Sequence, residues 1–438
     1  MSNMRNSGVE WIGDIPVEWD VKKGKYDFDF INGFAFDSQD MNVEGNFPVI
    51  RIGDIQEGIV SFDNCLYVQD NKGLERYKIN KGDLLLAMSG ATVGKVGIMN
   101  TDILAYINQR VGIIRSDVIK YIYYVLSTKS FLEYIDLESV GSAQPNISAD
   151  GIKKFLIPNP KAREQKIIAD FLDEKVGKID IIVEWLNKQI EIINNYKNSL
   201  ITEVIINGLD QNTEMIDSKI DWIGKISKNA KLIKLKYFSY MKGRIGWQGL
   251  NSEDFIDEGP YCVTGTDFVN GKINWETCYH VSDERYNMDS NIQLKIGDLL
   301  VTKDGTIGKL AVVDELPNKA CLNSHLLIIR PLMNKFINKY LYYVLKSKIF
   351  YKYYNLVSSG STMDSLSQEK TGNFIFPIYE IEKQKQIADY LDKKCEQIDC
   401  IVKNKQEQIE KIEQYKKSLI YEYVTGKKRV KGAEELYG

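Results

Sequence analysis

The sequence predicts an α+β protein with an internal pseudo-twofold repeat: two strand-rich halves joined by two long helices that form an antiparallel coiled coil. Three observations carry this expectation. A helical segment occurs twice, it keeps a heptad pattern along its length, and the stretch before each copy alternates short β-leaning runs with Gly, Asn and Asp turn signals.

The repeat comes first, because missing it would misassign the architecture. Gln165–Asp173 recurs as Gln384–Asp392, and carrying that offset of 219 residues from Arg163 to Glu203 gives 22 identities in 41 positions. Upstream the offset shrinks: Gly82-Asp83-Leu84-Leu85 matches Gly297-Asp298-Leu299-Leu300 at 215, and Trp11-Ile12-Gly13 matches Trp222-Ile223-Gly224 at 211. Insertions and deletions have therefore accumulated in the strand-rich halves, as surface loops allow, and not in the helices. The expected divisions are a first head at 1–162, a helix at 163–208, a linker at 209–220, a second head at 221–381, a helix at 382–425 and a basic tail at 426–438.

Each helix carries an apolar seam. Leu172, Ile179, Leu186, Ile193 and Leu200 fall seven apart in the first copy, and Leu391, Ile398, Ile412 and Leu419 follow the same period in the second. A helix of that length spans about 60 Å, more than a small domain is wide, so a partner helix is expected along it. Lys197 and Lys416 decide the direction. In a parallel pair these equivalent seam positions would bring two ammonium groups together, at a cost in both desolvation and repulsion, whereas an antiparallel pair separates them.

In the heads, Phe47–Ile52, Asp83–Met88, Val111–Arg115 and Leu326–Arg330 read as strands, and Tyr121–Tyr134 and Tyr340–Tyr354 as helices with aromatic cores. A glycine-bearing loop follows one strand in each head: Ser89-Gly90-Ala91-Thr92-Val93-Gly94-Lys95 and Asp304-Gly305-Thr306-Ile307-Gly308-Lys309. Its glycine spacing is too short for a nucleotide-binding loop, and Val96 and Leu310 stand where a magnesium-binding hydroxyl would be required. Lys95 and Lys309 instead suit a backbone phosphate, with a plain β-turn and a solvated lysine as the alternative. A strand entry reads Asn108-Gln109-Arg110 in one head and Asn323-Ser324-His325 in the other. Amide and guanidinium groups of this kind read base edges by paired hydrogen bonds, and a polar strand end is the plainer alternative.

Composition sets limits. The 438 residues are 44% hydrophobic and 27% charged, with a formal charge of −3, so any phosphate binding must rest on local rather than overall charge. No apolar run approaches the roughly 20 residues of a membrane helix, and residues 1–20 do not read as a signal peptide. Six cysteines without a CxxC pair, and two histidines, argue against zinc or a disulfide framework and for a reducing cytoplasm. No methyltransferase, nuclease, helicase or hydrolase motif is found, so no catalytic residue, metal or cofactor is expected.

Together these motifs resemble the specificity (S) subunit of type I restriction–modification systems, over essentially the whole chain. The resemblance rests on Trp11-Ile12-Gly13-Asp14-Ile15-Pro16-Val17-Glu18-Trp19, on Gly82–Leu86 through Gly94-Lys95, and on Gly141–Ser148. It continues through Ile157-Pro158 into Gln165–Asp173 and Ser199-Leu200-Ile201. The second copy departs at Ser227 and Ala230, where the first has Pro16 and Trp19, and at Met363-Asp364-Ser365. The resemblance implies two target-recognition domains on double-stranded DNA, each reading half of a split site that is asymmetric because the halves differ. It further implies spacer helices, two methyltransferase (M) subunits that flip an adenine at each half-site, and restriction (R) subunits. Carried over by position, Lys95, Arg110, Lys309 and His325 face DNA, joined by Gln109. Arg51, Gln144, Arg244 and Lys303 are added as polar groups on neighbouring loops. A coiled-coil adaptor with two protein-binding heads is the rival expectation.

Overall fold

The computed structural model describes residues 3–437 apart from 43–44, 57, 71, 140–144, 211, 245–251, 305–306 and 359–365. Two helices dominate it, Ala162–Asn207 and Ile381–Val424. The chain divides into two compact units, 1–186 with 406–438, and 187–405, so the division passes through both long helices. Each unit thus contains one head, part of the helix that follows it and part of the other helix.

Within each unit the two helical segments run antiparallel. In the first, Phe171 packs on Tyr423 with ring centroids 4.5 Å apart, and Asp180 meets Lys416. In the second, Gln189 accepts from Lys405 at 2.6 Å and Lys197 meets Asp399 at 2.6 Å. In both units the partner's number falls as the residue number rises, and both lysine–aspartate pairs join the same two repeat positions. The seam lysines are thus satisfied across the helix pair. Burial draws the Lys416 ammonium down, but the hydrogen bond and charge of Asp180 outweigh it and hold the group above its ordinary value. Leu172, Ile179, Leu391, Ile398 and Leu419 are buried, whereas Leu186, Ile193, Leu200 and Ile412 are half-buried. A two-helix seam covers a side chain less completely than helix and head together.

The first head is built on a six-stranded sheet in the order Asp29–Asn32, Val111–Arg115, Leu84–Ala87, Val96–Ile98, Gly58–Val60, Ile55–Gln56, with a four-stranded sheet beside it. The second is built on Ser239–Gly243, Leu326–Pro331, Leu299–Thr302 and Leu310–Val312, with a three-stranded sheet centred on Ile256–Val263. The repeated Gly-Asp motif is structural in both. Gly82 and Gly297 hold φ near +90°, a value that favours glycine. The next aspartate, Asp83 or Asp298, caps its own turn and takes a forked ion pair from Arg115 or Arg330.

Each head is pinned to its helix in the same way. Tyr124 donates to Asp173 (2.7 Å) and Tyr343 to Asp392 (2.5 Å), with Lys120 and Lys339 on the same carboxylates. The aromatic spacing is indeed core, since Tyr121, Tyr124, Tyr340 and Tyr343 are all buried. The expected single helices are each two, however: Ile119–Leu126 and Lys129–Glu138, and Asn338–Lys346 and Lys348–Ser358. The breaks fall where hydroxyls offer the backbone carbonyls another donor. Ser127 and Thr128 bond the Tyr123 and Val125 carbonyls, and Ser347 bonds that of Val344.

The segment after Val424 folds back onto the first unit. Lys427 donates to the Ile12 carbonyl at 2.7 Å, Lys161 to that of Leu436 at 2.7 Å, and Ala433 is wholly buried. Arg429 enters the interior and pairs with Glu164 at 2.9 Å, while the Trp19 indole donates to the other Glu164 oxygen at 3.0 Å. None of the helices among the described residues is long and apolar enough to cross a membrane.

Candidate nucleic-acid interface

Three segments meet at one end of the main sheet in each head. In the first, the strand Leu84–Ala87 runs into Met88. Its N–H donates to the Arg110 carbonyl (2.9 Å), and its own carbonyl accepts from Ile147 (2.9 Å). In the second, Lys303 N–H donates to the His325 carbonyl (3.0 Å) and the Lys303 carbonyl accepts from Leu366 (2.8 Å). Met88 and Lys303, Arg110 and His325, and Ile147 and Leu366 are repeat-equivalent positions. The backbone frame is therefore the same, while Met88, Ser89, Gln109 and Arg110 are exchanged for Lys303, Asp304, Ser324 and His325.

The glycine loop is a hairpin closed by matching pairs: Ala87 N–H to the Lys95 carbonyl (2.9 Å) and Thr302 N–H to the Lys309 carbonyl (3.0 Å). Gly94 and Gly308 both hold φ +81°, which bends the chain back to this closure. Lys95 and Lys309 are exposed just beyond the bend, at the base of the hairpin.

Gln109, Arg110 and His325 are likewise exposed, and Lys303 is half-buried. Among the described residues, the side chains of Lys95, Arg110, Lys303 and Lys309 make no ion pair; His325 lies 3.4 Å from Asp304. In the first head Gln109 and Arg110 line a groove of about 810 Å³ together with Asn32, Asn146, Ser148 and Asp150. Gly33, next to Asn32, lets the chain pass close to Asn108, because a Cβ there would lie 1.9 Å from the Asn108 carbonyl oxygen.

Two expected residues are corrected. Arg244 is not a loop cation: it is 3% exposed, and its guanidinium donates to the Leu322 carbonyl (2.9 Å) and to Cys321 Sγ (3.4 Å). Strand pairing makes it the counterpart of Gly33 in the first head, so where that glycine brings main chain close, the second head has a buried side chain. Arg51 is only half-exposed and is held by its own loop, donating to the Asn64 carbonyl at 2.6 Å with Asp54 at 3.6 Å. It braces the turn whose Ile52 carbonyl accepts from Thr92. Gln144 lies outside the described residues, as do the second-copy positions 363–365. Asn32 and Asn146 are groove residues that sequence reasoning missed. Asn146 stood inside a quoted motif, but Asn32 reaches the groove by strand pairing across the sheet and left no local signal.

The arrangement offers amide groups that can donate and accept together, a guanidinium fork, and cations on a hairpin. That is a chemistry of recognition at base edges and phosphates. Among the described residues no group of three or more His, Cys, Asp and Glu side chains could hold a metal ion.

Comparison with known proteins bears on this surface. The family model described as type I restriction modification DNA specificity domain matches residues 16–192 and 247–411. The chain is 24% identical to the MjaVIII type I restriction enzyme specificity subunit of Methanocaldococcus jannaschii, over 95% of this chain and 94% of that protein. It is 26% identical to a putative MjaX specificity subunit of the same organism, over 96% of each. A solved structure, from work on complex assembly and conformational transition of the type I R-M system, superimposes with a TM-score of 0.70. It is 14% identical and covers 94% of this chain and 98% of that one.

Proposed function

The chain belongs to the type I restriction modification DNA specificity family, and from that premise we propose that it is the sequence-reading subunit of a type I restriction–modification complex. Each head reads one half of a split, asymmetric site in double-stranded DNA. The heads at 1–162 and 221–381 are the exchangeable readers, and the helices at 163–208 and 382–425 hold the spacing between half-sites. The chemistry belongs to partners: two M subunits methylate an adenine in each half-site, and R subunits cleave.

One observation carries this reading. A common backbone frame presents Gln109 and Arg110 in one head and Ser324 and His325 in the other, beside hairpins that both end in an exposed lysine. A scaffold kept constant under changed hydrogen-bonding groups fits two readers of different sequence. An exposed apolar face on the first long helix, with Trp185 63% exposed in the first unit and Ile192 65% in the second, suits docking of the M subunits.

Methylome sequencing of a host expressing the chain with its M subunit tests the proposal. The expected result is one motif of two unlike halves with a fixed gap. A folded, M-bound chain that directs methylation to no motif rejects it and favours the adaptor.

A further inference from the structure

The second head contains a thiol pair that the first lacks. Cys262 and Cys321 stand opposite each other on adjacent parallel strands, Ile256–Val263 and Ala320–Leu322, and both are wholly buried. The corresponding cross-strand partners in the first head are Val49 and Tyr106. The Arg244 guanidinium reaches the Cys321 sulfur at 3.4 Å. The neighbouring Cys262 thiol and then the Arg244 charge hold Cys321 below the ordinary thiol value against the effect of burial, and the same neighbour together with burial pushes Cys262 upward. Burial raises Cys65, to about 11, and also raises Cys278 and Cys395. Cys321 is thus the cysteine whose environment favours thiolate, and a neighbouring thiol is in place to react with it.

We propose that Cys321 and Cys262 form a peroxide-responsive dithiol in the second head, with Arg244 as the residue that positions and stabilises the Cys321 thiolate. The Cys321 thiolate attacks hydrogen peroxide, the O–O bond breaks, and sulfenic acid forms with loss of hydroxide, which the proton released from Cys321 converts to water. The Cys262 thiol then attacks the sulfenic sulfur, the S–O bond breaks, and a second water leaves with the Cys262 proton. Two thiols are oxidised by two electrons and one peroxide is reduced to two waters.

The pair adjoins the reading surface. Arg244 also holds the Leu322 carbonyl at 2.9 Å, and the next residue, Asn323, donates to Val263 at 2.9 Å before the chain enters Ser324 and His325. Drawing the two sulfurs to covalent separation, about 2.05 Å, moves these strand ends and removes the thiolate that Arg244 faces. Oxidation therefore weakens the second reader and leaves the first unchanged. This consequence rests on the DNA-reading role proposed above, whereas the dithiol chemistry does not.

The test uses the full chain carrying Cys400→Ser, which removes the one exposed cysteine among the described residues. The protein is treated with hydrogen peroxide, denatured and alkylated, and its peptides are mapped. The expected product is a Cys262–Cys321 link reversed by dithiothreitol, formed about tenfold more slowly in Arg244→Met if the guanidinium is worth one unit of thiol pKa. Links mapped elsewhere, or over-oxidised Cys321 with no link, overturn the proposal; the unsubstituted Arg244 chain gives this answer even if Arg244→Met does not fold. In the binding arm, with the M subunit present, the oxidised chain should lose affinity for one half-site alone. Equal loss at both halves, or none, overturns the effect on reading. If the reduced chain binds no DNA sequence, the DNA-reading role fails while the mapped link still decides the dithiol.

Discussion

The two heads share a backbone frame but are secured differently at the start of their helices. In the first unit Trp19, Glu164 and Arg429 form one buried network, with Glu164 wholly buried and the Arg429 side chain 4% exposed. At the repeat-equivalent positions the second unit has Ala230 and Lys383, and the Lys383 ammonium lies 5.3 Å over the Tyr379 ring. The pins farther along, Tyr124–Asp173 and Tyr343–Asp392, are the same in both. A buried carboxylate is tolerable when an indole and a guanidinium satisfy it, so the network is present as a set in one unit and replaced together in the other. Divergence here acted on groups of residues that share a desolvation cost.

The largest effect should come from splitting that set. Glu164→Ala removes the carboxylate nearest the buried Arg429 guanidinium, leaving Glu18 at 3.8 Å, and about 3–5 kcal/mol of unfolding free energy should be lost. The counterpart Lys383→Ala should cost under about 0.5 kcal/mol. Urea titration followed by hydrogen exchange in each unit measures both, and losses of equal size would remove the asymmetry.

Where the units agree, paired substitutions should agree too. Asp83→Asn and Asp298→Asn each weaken a forked arginine pair and should each cost about 2–3 kcal/mol. A difference of more than about 1 kcal/mol in thermal unfolding would show that the two frames are not energetically equivalent.

Next come the readers. Arg110→Ala should lower discrimination by about 1–3 kcal/mol at a single position of one half-site, and His325→Ala should act on the other half. Binding selections on randomised DNA separate these outcomes, and a change in both halves from either variant would refute independent reading. Smallest is Lys309→Ala, expected to weaken binding evenly across sequences and reduce the salt-dependence slope by about one, as loss of a single phosphate contact does. A base-specific change would instead move Lys309 from the phosphates to the base edges.

Much of this molecule could be read along the chain. The repeated helices follow from heptad periodicity, and their direction follows from the mutual repulsion of two seam lysines. That each lysine meets an aspartate of the other helix, Asp399 or Asp180, is not legible in the sequence, because a cross-helix register is not a local property. The frame of the candidate site was half legible. Asn108-Gln109-Arg110 and the glycine loop were identified as segments, yet nothing in them indicated that both would meet at Met88.

The misassigned residues share a cause. Arg244 and Arg51 looked like loop cations because charged side chains are usually solvated; pairing across sheets gave one a buried carbonyl and sulfur and the other a carbonyl and carboxylate. The helix breaks at Ser127-Thr128 and Ser347 were missed because apolar spacing outweighs a hydroxyl in a periodicity argument.

By itself, the sequence determined the duplication, the two long helices with their antiparallel pairing, the turn glycines and the separation of constant helices from variable heads. All of these arise from patterns a few residues apart. Tertiary structure alone decided which polar groups are buried and matched. It drew Arg429 from the tail onto Glu164, placed Asn32 beside Arg110, and set Cys262 against Cys321 with Arg244 at their side. Desolvation and hydrogen bonding depend on which distant segments the sheets bring together, and no local spacing records that choice.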